Sequence, residues 1–145
     1  MSQQIYRPPL FGNFKPTIRE RSKKKSTAYE RREGNSKAHL ALIRQLPCCV
    51  GGHGRVDPHH IKSGPAKTER GAGMRSTDQW AVPLSRERHD ELEALGSRNE
   101  EAWFRRHGVE DVVELAAALK RVTGDLEAMK RVLWAHMNGG KSDGN

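Results

Sequence analysis

Four residues of this chain have the types and spacing to do chemistry together: His59, His60, His89 and Glu93. His59 and His60 are adjacent at the end of a short apolar stretch, Val56-Asp57-Pro58-His59-His60-Ile61. Imidazole has an ordinary pKa of about 6.5 and its neutral form is a good metal ligand, so one ring of such a pair can bind a cation while the other takes a proton from water. His89 and Glu93 are four residues apart, and on a helix that spacing places both on one face. With His59 they would form a three-ligand set that leaves coordination positions for water and substrate. Imidazole and carboxylate together suit Mg²⁺, Mn²⁺, Zn²⁺ or Ni²⁺.

Such a site needs a strand for the histidine pair and a helix for its partners. Val56–Ile61 reads as the first strand, Trp80-Ala81-Val82-Pro83-Leu84 as the second, and Ser85 to Glu93 as the start of a helix. Between the strands, Ser63 to Asp78 carries Lys67, Arg70 and Arg75 among glycines and few large apolar groups. A structureless loop of that length points to function or mobility. Upstream, Ser36 to Gln45 reads as a short helix ended by Pro47, and Cys48 to Arg55 as a glycine-rich turn. Downstream the chain is predicted helical. Ser97 is placed to cap a helix through Arg106 that His107-Gly108 ends. Val112, Val113, Leu115, Ala116 and Leu119 mark a buried stripe on the next helix, and Gly124 separates it from a last one ended by Gly139-Gly140. Trp103, Phe104 and Trp134 read as core. Asp57, before a proline, reads as a turn-shaping residue. His39, His53, His107 and His136 have no matching partners and read as structural or surface groups.

The chain has 145 residues, 34% hydrophobic and 30% charged, which allows one small domain with a modest core plus an extension. No apolar stretch approaches the roughly 20 residues that span a bilayer, and the N-terminus lacks the apolar stretch of a secretory signal. A cytoplasmic protein is the expectation. Cys48 and Cys49 are sequence neighbours with no other cysteine in the chain, which excludes a disulfide framework. Residues 1–46 hold 11 Lys or Arg against 3 Glu, whereas the remainder balances 15 basic against 15 acidic side chains. A basic arm beside a neutral body predicts attraction to a polyanion, most simply nucleic acid. The arm has no sustained apolar face of helical period, which disfavours a membrane surface.

The stretch from Leu40 to about Gly108 resembles the His-Asn-His (HNH) family of ββα-metal endonucleases, in particular the phage-encoded branch that includes the RecA-dependent recombination-enhancement nuclease. The resemblance is carried by Leu46-Pro47-Cys48-Cys49-Val50, Val56-Asp57-Pro58-His59-His60-Ile61, Gly73-Met74, Asp78-Gln79-Trp80-Ala81-Val82-Pro83-Leu84, His89 and Trp103. It implies a ββα-metal core over 36–107 in an α+β fold; outside it, composition marks a flexible basic arm over 1–35 and apolar spacing a C-terminal helical cap and tail over 108–145. It further implies metal-dependent hydrolysis of DNA phosphodiesters with weak sequence selectivity, in the cytoplasm of a host cell if the chain is phage-encoded.

By position in the motif, His60 resembles the general base, His59 the first metal ligand and His89 the helix ligand, while Glu93 sits where a further histidine ligand often lies. One divalent cation (Mg²⁺, Mn²⁺, Ni²⁺ or Zn²⁺) would serve the site. Lys23, Lys24, Lys25, Arg31 and Arg32 of the arm, with Lys62, Arg86 and Arg88, would contact DNA phosphates.

The sequence departs from the family pattern at three places. Many relatives carry a zinc held by two Cys pairs; here Cys48 keeps one position and Gly51, Ser85 and Arg88 take the others, so no structural zinc is expected. Trp80 stands where the family's Asn would align, with Asp78 two residues earlier able to tie the loop to the catalytic histidine. Glu93 can ligate the metal or stay solvated on the helix face. The rival reading is a DNA-binding accessory factor for recombination or packaging that has lost catalysis.

Overall fold

In the computed structural model, which describes residues 26–69 and 74–138, the two apolar stretches pair as an antiparallel ribbon. Strand β1 (Val56–His60) lies against β2 (Ala81–Ser85) with Val56 opposite Ser85, His59 opposite Val82 and His60 opposite Ala81. Pro58 and Pro83 face each other in this register. A two-stranded ribbon is all edge, so the missing proline N–H groups interrupt nothing beyond the pair itself. Trp80, read as the start of the second strand, instead closes a 3₁₀ turn over Asp78–Trp80.

Around the ribbon are α1 (Ala28–Arg31), α2 (Lys37–Ile43), α3 (Pro65–Glu69), α4 (Arg86–Leu95), α5 (Glu100–Arg106), α6 (Val112–Arg121) and α7 (Leu126–Asn138). The described chain is thus mixed α+β. No helix in it is long and apolar enough to cross a membrane. Helix α4 follows β2 with no intervening loop. Ser85 ends the strand and caps the helix, its Oγ accepting from the Arg88 N–H at 3.4 Å. That abrupt turn brings His89 back beside β1.

Several local expectations are corrected. The segment between the strands contains α3, begun by Pro65, whose fixed φ suits a first helical turn. Ser97 does not cap α5: it opens a separate 3₁₀ turn, Ser97–Asn99, after Gly96 ends α4 with φ 83°. Asp57 shapes no turn; it lies within β1 and pairs with Arg55 at 3.2 Å and Arg86 at 3.7 Å. Trp134, expected in the core, is 52% exposed. The buried stripe of α7 runs through Met129 and Leu133, and the next residue points about 100° away around the helix.

Ser26 to Asn35 is folded rather than a free arm: Thr27 caps α1 in a capping box with Glu30, and Arg32 Nη1 donates to the Arg75 carbonyl at 3.0 Å. One hydrophobic cluster joins Ile43, Ile61, Val82, Trp103 and Phe104 to Leu115, Leu119 and Leu133. The C-terminal helices therefore complete the same core instead of capping a finished one. Lys23, Lys24, Lys25, Arg70 and Gly139-Gly140 lie outside the described residues.

Cys48 and Cys49 are buried free thiols, and the Cys49 N–H donates to the Pro83 carbonyl at 3.0 Å, docking the turn on β2. Gly52 is pressed against the strand–helix junction so closely that a Cβ there would stand 2.2 Å from Ser85 Oγ and 2.9 Å from Arg88 Cγ.

Candidate metal centre

The strand places His59 and the helix places His89 and Glu93 so that one ligand atom from each lies within 4.8 Å of the others. The imidazole rings meet edge to face with centroids 5.1 Å apart. His59 is buried, His89 half-buried and Glu93 exposed on the helix surface. Ligand atoms about 2.1 Å from one ion cannot be more than about 4.2 Å apart. Three atoms that share one ion lie closer still, about 3.0–3.6 Å apart, so the set needs a closure of up to about 1–2 Å, within reach of a glutamate side chain on an exposed helix face. Burial, the neighbouring His59 and the Arg86 charge push the His89 pKa down, which Glu93 and Asp90 only partly counter, so its ring is neutral and able to ligate at pH 7. Lys62 Nζ donates to both Glu93 oxygens at 2.9 Å and holds its pKa below the usual glutamate range.

Behind His59 lies a residue the sequence reading missed. Glu100 is 1% exposed, and its Oε1 is 2.6 Å from His59 Nε2. Its Oε2 accepts from the Lys62 N–H at 2.7 Å and from Ser63 Oγ at 2.6 Å. Burial alone would raise its pKa, but the hydrogen bond and charge of His59, with Ser63 and the Lys62 N–H, outweigh it and lower the value. An ionised carboxylate only accepts, so Nε2 of His59 carries the proton and a neutral ring keeps its lone pair on Nδ1. That nitrogen is the one facing Glu93, 4.0 Å from its Oε1. A carboxylate on the far nitrogen is the usual outer partner of a metal-binding histidine.

His60 is not in this cluster. Successive strand residues point to opposite faces, and its partners are different ones. Its Nε2 donates to Asp78 Oδ1 at 2.8 Å. Asp78 is fully buried; its Oδ2 accepts from the Tyr29 hydroxyl and, at 2.9 Å, from the Ser36 N–H, while its own N–H donates to Asn35 Oδ1 at 3.1 Å. These bonds hold the Asp78 carboxyl below its ordinary range despite burial. Burial, together with the Asp78 hydrogen bond and charge, pushes the Tyr29 hydroxyl up to about 12. Burial lowers the His60 pKa even though Asp78 opposes it, leaving a neutral ring with Nδ1 unprotonated. A contact across 49 residues of sequence, Tyr29 to Asp78, thus closes beside the second histidine.

The cations expected to meet DNA are placed unevenly. Arg86 pairs with Asp57 at 3.7 Å and Asp90 at 3.5 Å, and Arg88 with Glu91 at 3.0 Å. Arg31 Nη1 turns back on the Ser26 carbonyl at 2.6 Å. A signal for Glu100 was present: Glu100, Trp103, Phe104 and His107 recur at helical spacing, which puts a carboxylate on an apolar face.

A family model described as "Protein of unknown function (DUF968)" matches residues 26–122, about two thirds of the chain. The match takes in α1 and α6 along with the ribbon, and it begins where the described chain begins. No curated protein and no solved structure matches the chain.

Proposed function

We propose that this chain, which belongs to the DUF968 family of proteins of unknown function, is a metal-dependent endonuclease with a ββα-metal core. The observation that carries the reading is the buried Glu100–His59 pair standing behind an accessible His59–His89–Glu93 set. A buried carboxylate that fixes one nitrogen of a histidine, so that the other faces two further ligands, serves metal binding and adds little to a hydrophobic core.

His59, His89 and Glu93 would hold one divalent cation, and the exchange of Lys62 for that cation on Glu93 keeps the carboxylate neutralised in both states. Such a cation supplies charge stabilisation to a phosphodiester under attack and lowers the pKa of water. Glu100 keeps the His59 lone pair aimed at the cluster. His60 takes the water proton on Nδ1, and Asp78 holds the tautomer in which that nitrogen is free. His59 and His60 are the last two residues of β1, so a phosphodiester lying across the strand end would meet the cluster from one side and His60 from the other.

The experiment is incubation with supercoiled plasmid across Mg²⁺, Mn²⁺, Ni²⁺ and Zn²⁺, comparing the natural chain with His89→Ala and His60→Ala. General-base catalysis contributes about 10²- to 10⁴-fold, so His60→Ala should lose activity on that scale while still binding DNA. Full activity in His60→Ala removes the base from the proposal. Absence of metal-dependent nicking by the natural chain in every metal moves the reading to the DNA-binding accessory factor, which the bridging of Glu93 by Lys62 would then suit.

A further inference from the structure

Beside the metal cluster runs a groove of roughly 390 Å³ lined by Lys62, Ser63, Lys67, Arg98, Glu101 and Arg105. It is built by two stretches of chain: the strand exit and α3 supply Lys62 and Lys67, and the 3₁₀ turn that runs into α5 supplies Arg98 and Arg105. Four cations face one carboxylate there. Glu101 is shared with Arg105 at 3.9 Å and Lys62 is held by Glu93, whereas Lys67 and Arg98 make no ion pair among the described residues. Charges gathered without partners by distant parts of the chain cost self-repulsion, and an anion relieves it. Ser63 and Ala102, also in the lining, are small, so an anion can approach closely.

The groove is not isolated. Lys62 and Ser97 line it and also border the small cavity walled by His59, Glu93 and Glu100. We propose that this groove is a subsite for a nucleic-acid backbone phosphate flanking the one presented to the cluster, with Lys67, Arg98 and Arg105 as its ligands. It rests on the nuclease reading for its substrate, yet it makes a separate demand: binding must fall when these cations go, whether or not cleavage occurs. Phosphate contacts of this kind position the duplex without reading its sequence.

The test uses the full chain, a short DNA duplex and a chelator, so that no cleavage intervenes. Binding is followed by fluorescence anisotropy across a salt series for the natural chain and for the triple variant Lys67→Ala, Arg98→Ala, Arg105→Ala. Arg131→Ala, on the exposed face of α7, serves as the control. Each lost phosphate contact flattens the log–log salt dependence by about 0.9, so the triple variant, losing this one phosphate, should lose about 0.9 from the slope and bind about tenfold more weakly at low salt, equally for unrelated sequences. Arg131→Ala should leave both unchanged. Circular dichroism verifies that the variants fold, and single Arg98→Glu provides an independent charge change if the triple variant does not. Replacing chloride with inorganic phosphate at matched ionic strength should compete with the duplex in the natural chain and not in the triple variant. Natural affinity and slope in the folded triple variant overturn the subsite, as does competition by phosphate that the variant retains. Weakened binding in the variant with no nicking by the natural chain keeps the subsite and sinks the cleavage reading instead.

Discussion

Replacing Glu100 by Gln separates what holds the fold from what aims the metal ligand. Glu100 is buried and accepts three hydrogen bonds, from His59 Nε2 at 2.6 Å, the Lys62 N–H at 2.7 Å and Ser63 Oγ at 2.6 Å. The amide of Gln has one accepting oxygen and one donating nitrogen. If the oxygen stays with Lys62 and Ser63, the NH₂ meets His59 Nε2, which must then accept. The ring proton moves to Nδ1, the nitrogen that faces Glu93 at 4.0 Å, and the cluster loses a lone pair. If the amide is reversed, two buried donors face an NH₂ instead. Hydrogen bonds to charged groups are worth about 1.5–3 kcal/mol each, so Glu100→Gln should cost about 2–4 kcal/mol of stability. Losing the outer partner of a ligating histidine typically weakens metal binding about 10- to 100-fold. Isothermal titration with Mn²⁺ or Zn²⁺ measures the second effect and urea unfolding the first. Ser63→Ala supplies the contrast: it removes one bond to Glu100 but leaves the His59 bond, so it should lose about 1.5–3 kcal/mol with metal affinity nearly unchanged. Glu100→Gln binding metal as tightly as the natural chain would refute the aiming role.

Two further outcomes follow from buried positions. His39 is buried with Nδ1 on Thr123 Oγ1 at 2.7 Å and Nε2 without a partner, and burial, aided by the Lys120 charge, pushes its pKa down to about 4. The unfolded chain then takes up the proton first, so stability is complete above about pH 6.5 and declines as pH falls toward 4, by about 3 kcal/mol from this residue. Urea midpoints at pH 7 and pH 4.5 should differ less in His39→Gln than in the natural chain, and an equal difference in both would contradict the assignment. Gly52→Ala should lower stability by about 1–3 kcal/mol, because its Cβ must displace Ser85 Oγ or back the turn off the junction. The cost should shrink in a Ser85→Gly background, and an unshifted melting temperature in Gly52→Ala would show that the contact is not tight.

The ribbon was legible as two short apolar stretches and the face shared by His89 and Glu93 as a four-residue helical spacing, both local signals, while the approach of His59 to them followed from the strand–strand–helix order. Ser85 could be read as a boundary for the same reason. Glu100 and Tyr29 were harder, since each acts on a residue far along the chain, and the packing of α5 and α1 creates those contacts. Helical spacing did place Trp103 and Phe104 correctly in the core. It misled at Trp134, where aromatic character suggested burial but the angle on α7 decided otherwise. Charge composition marks where a chain is basic, and contacts such as that of Tyr29 with Asp78 mark where it is folded.

The clasp between Tyr29 and Asp78 changes how the basic arm should be cut. A shortened chain starting at residue 36 would discard Tyr29 and Asn35 with the charges, stripping Asp78 of partners and unsettling His60. A loss of activity in it would be mistaken for a loss of DNA affinity. A chain starting at Ser26 sheds seven Lys and Arg and keeps every described partner of Asp78, so only that cut isolates the electrostatic contribution.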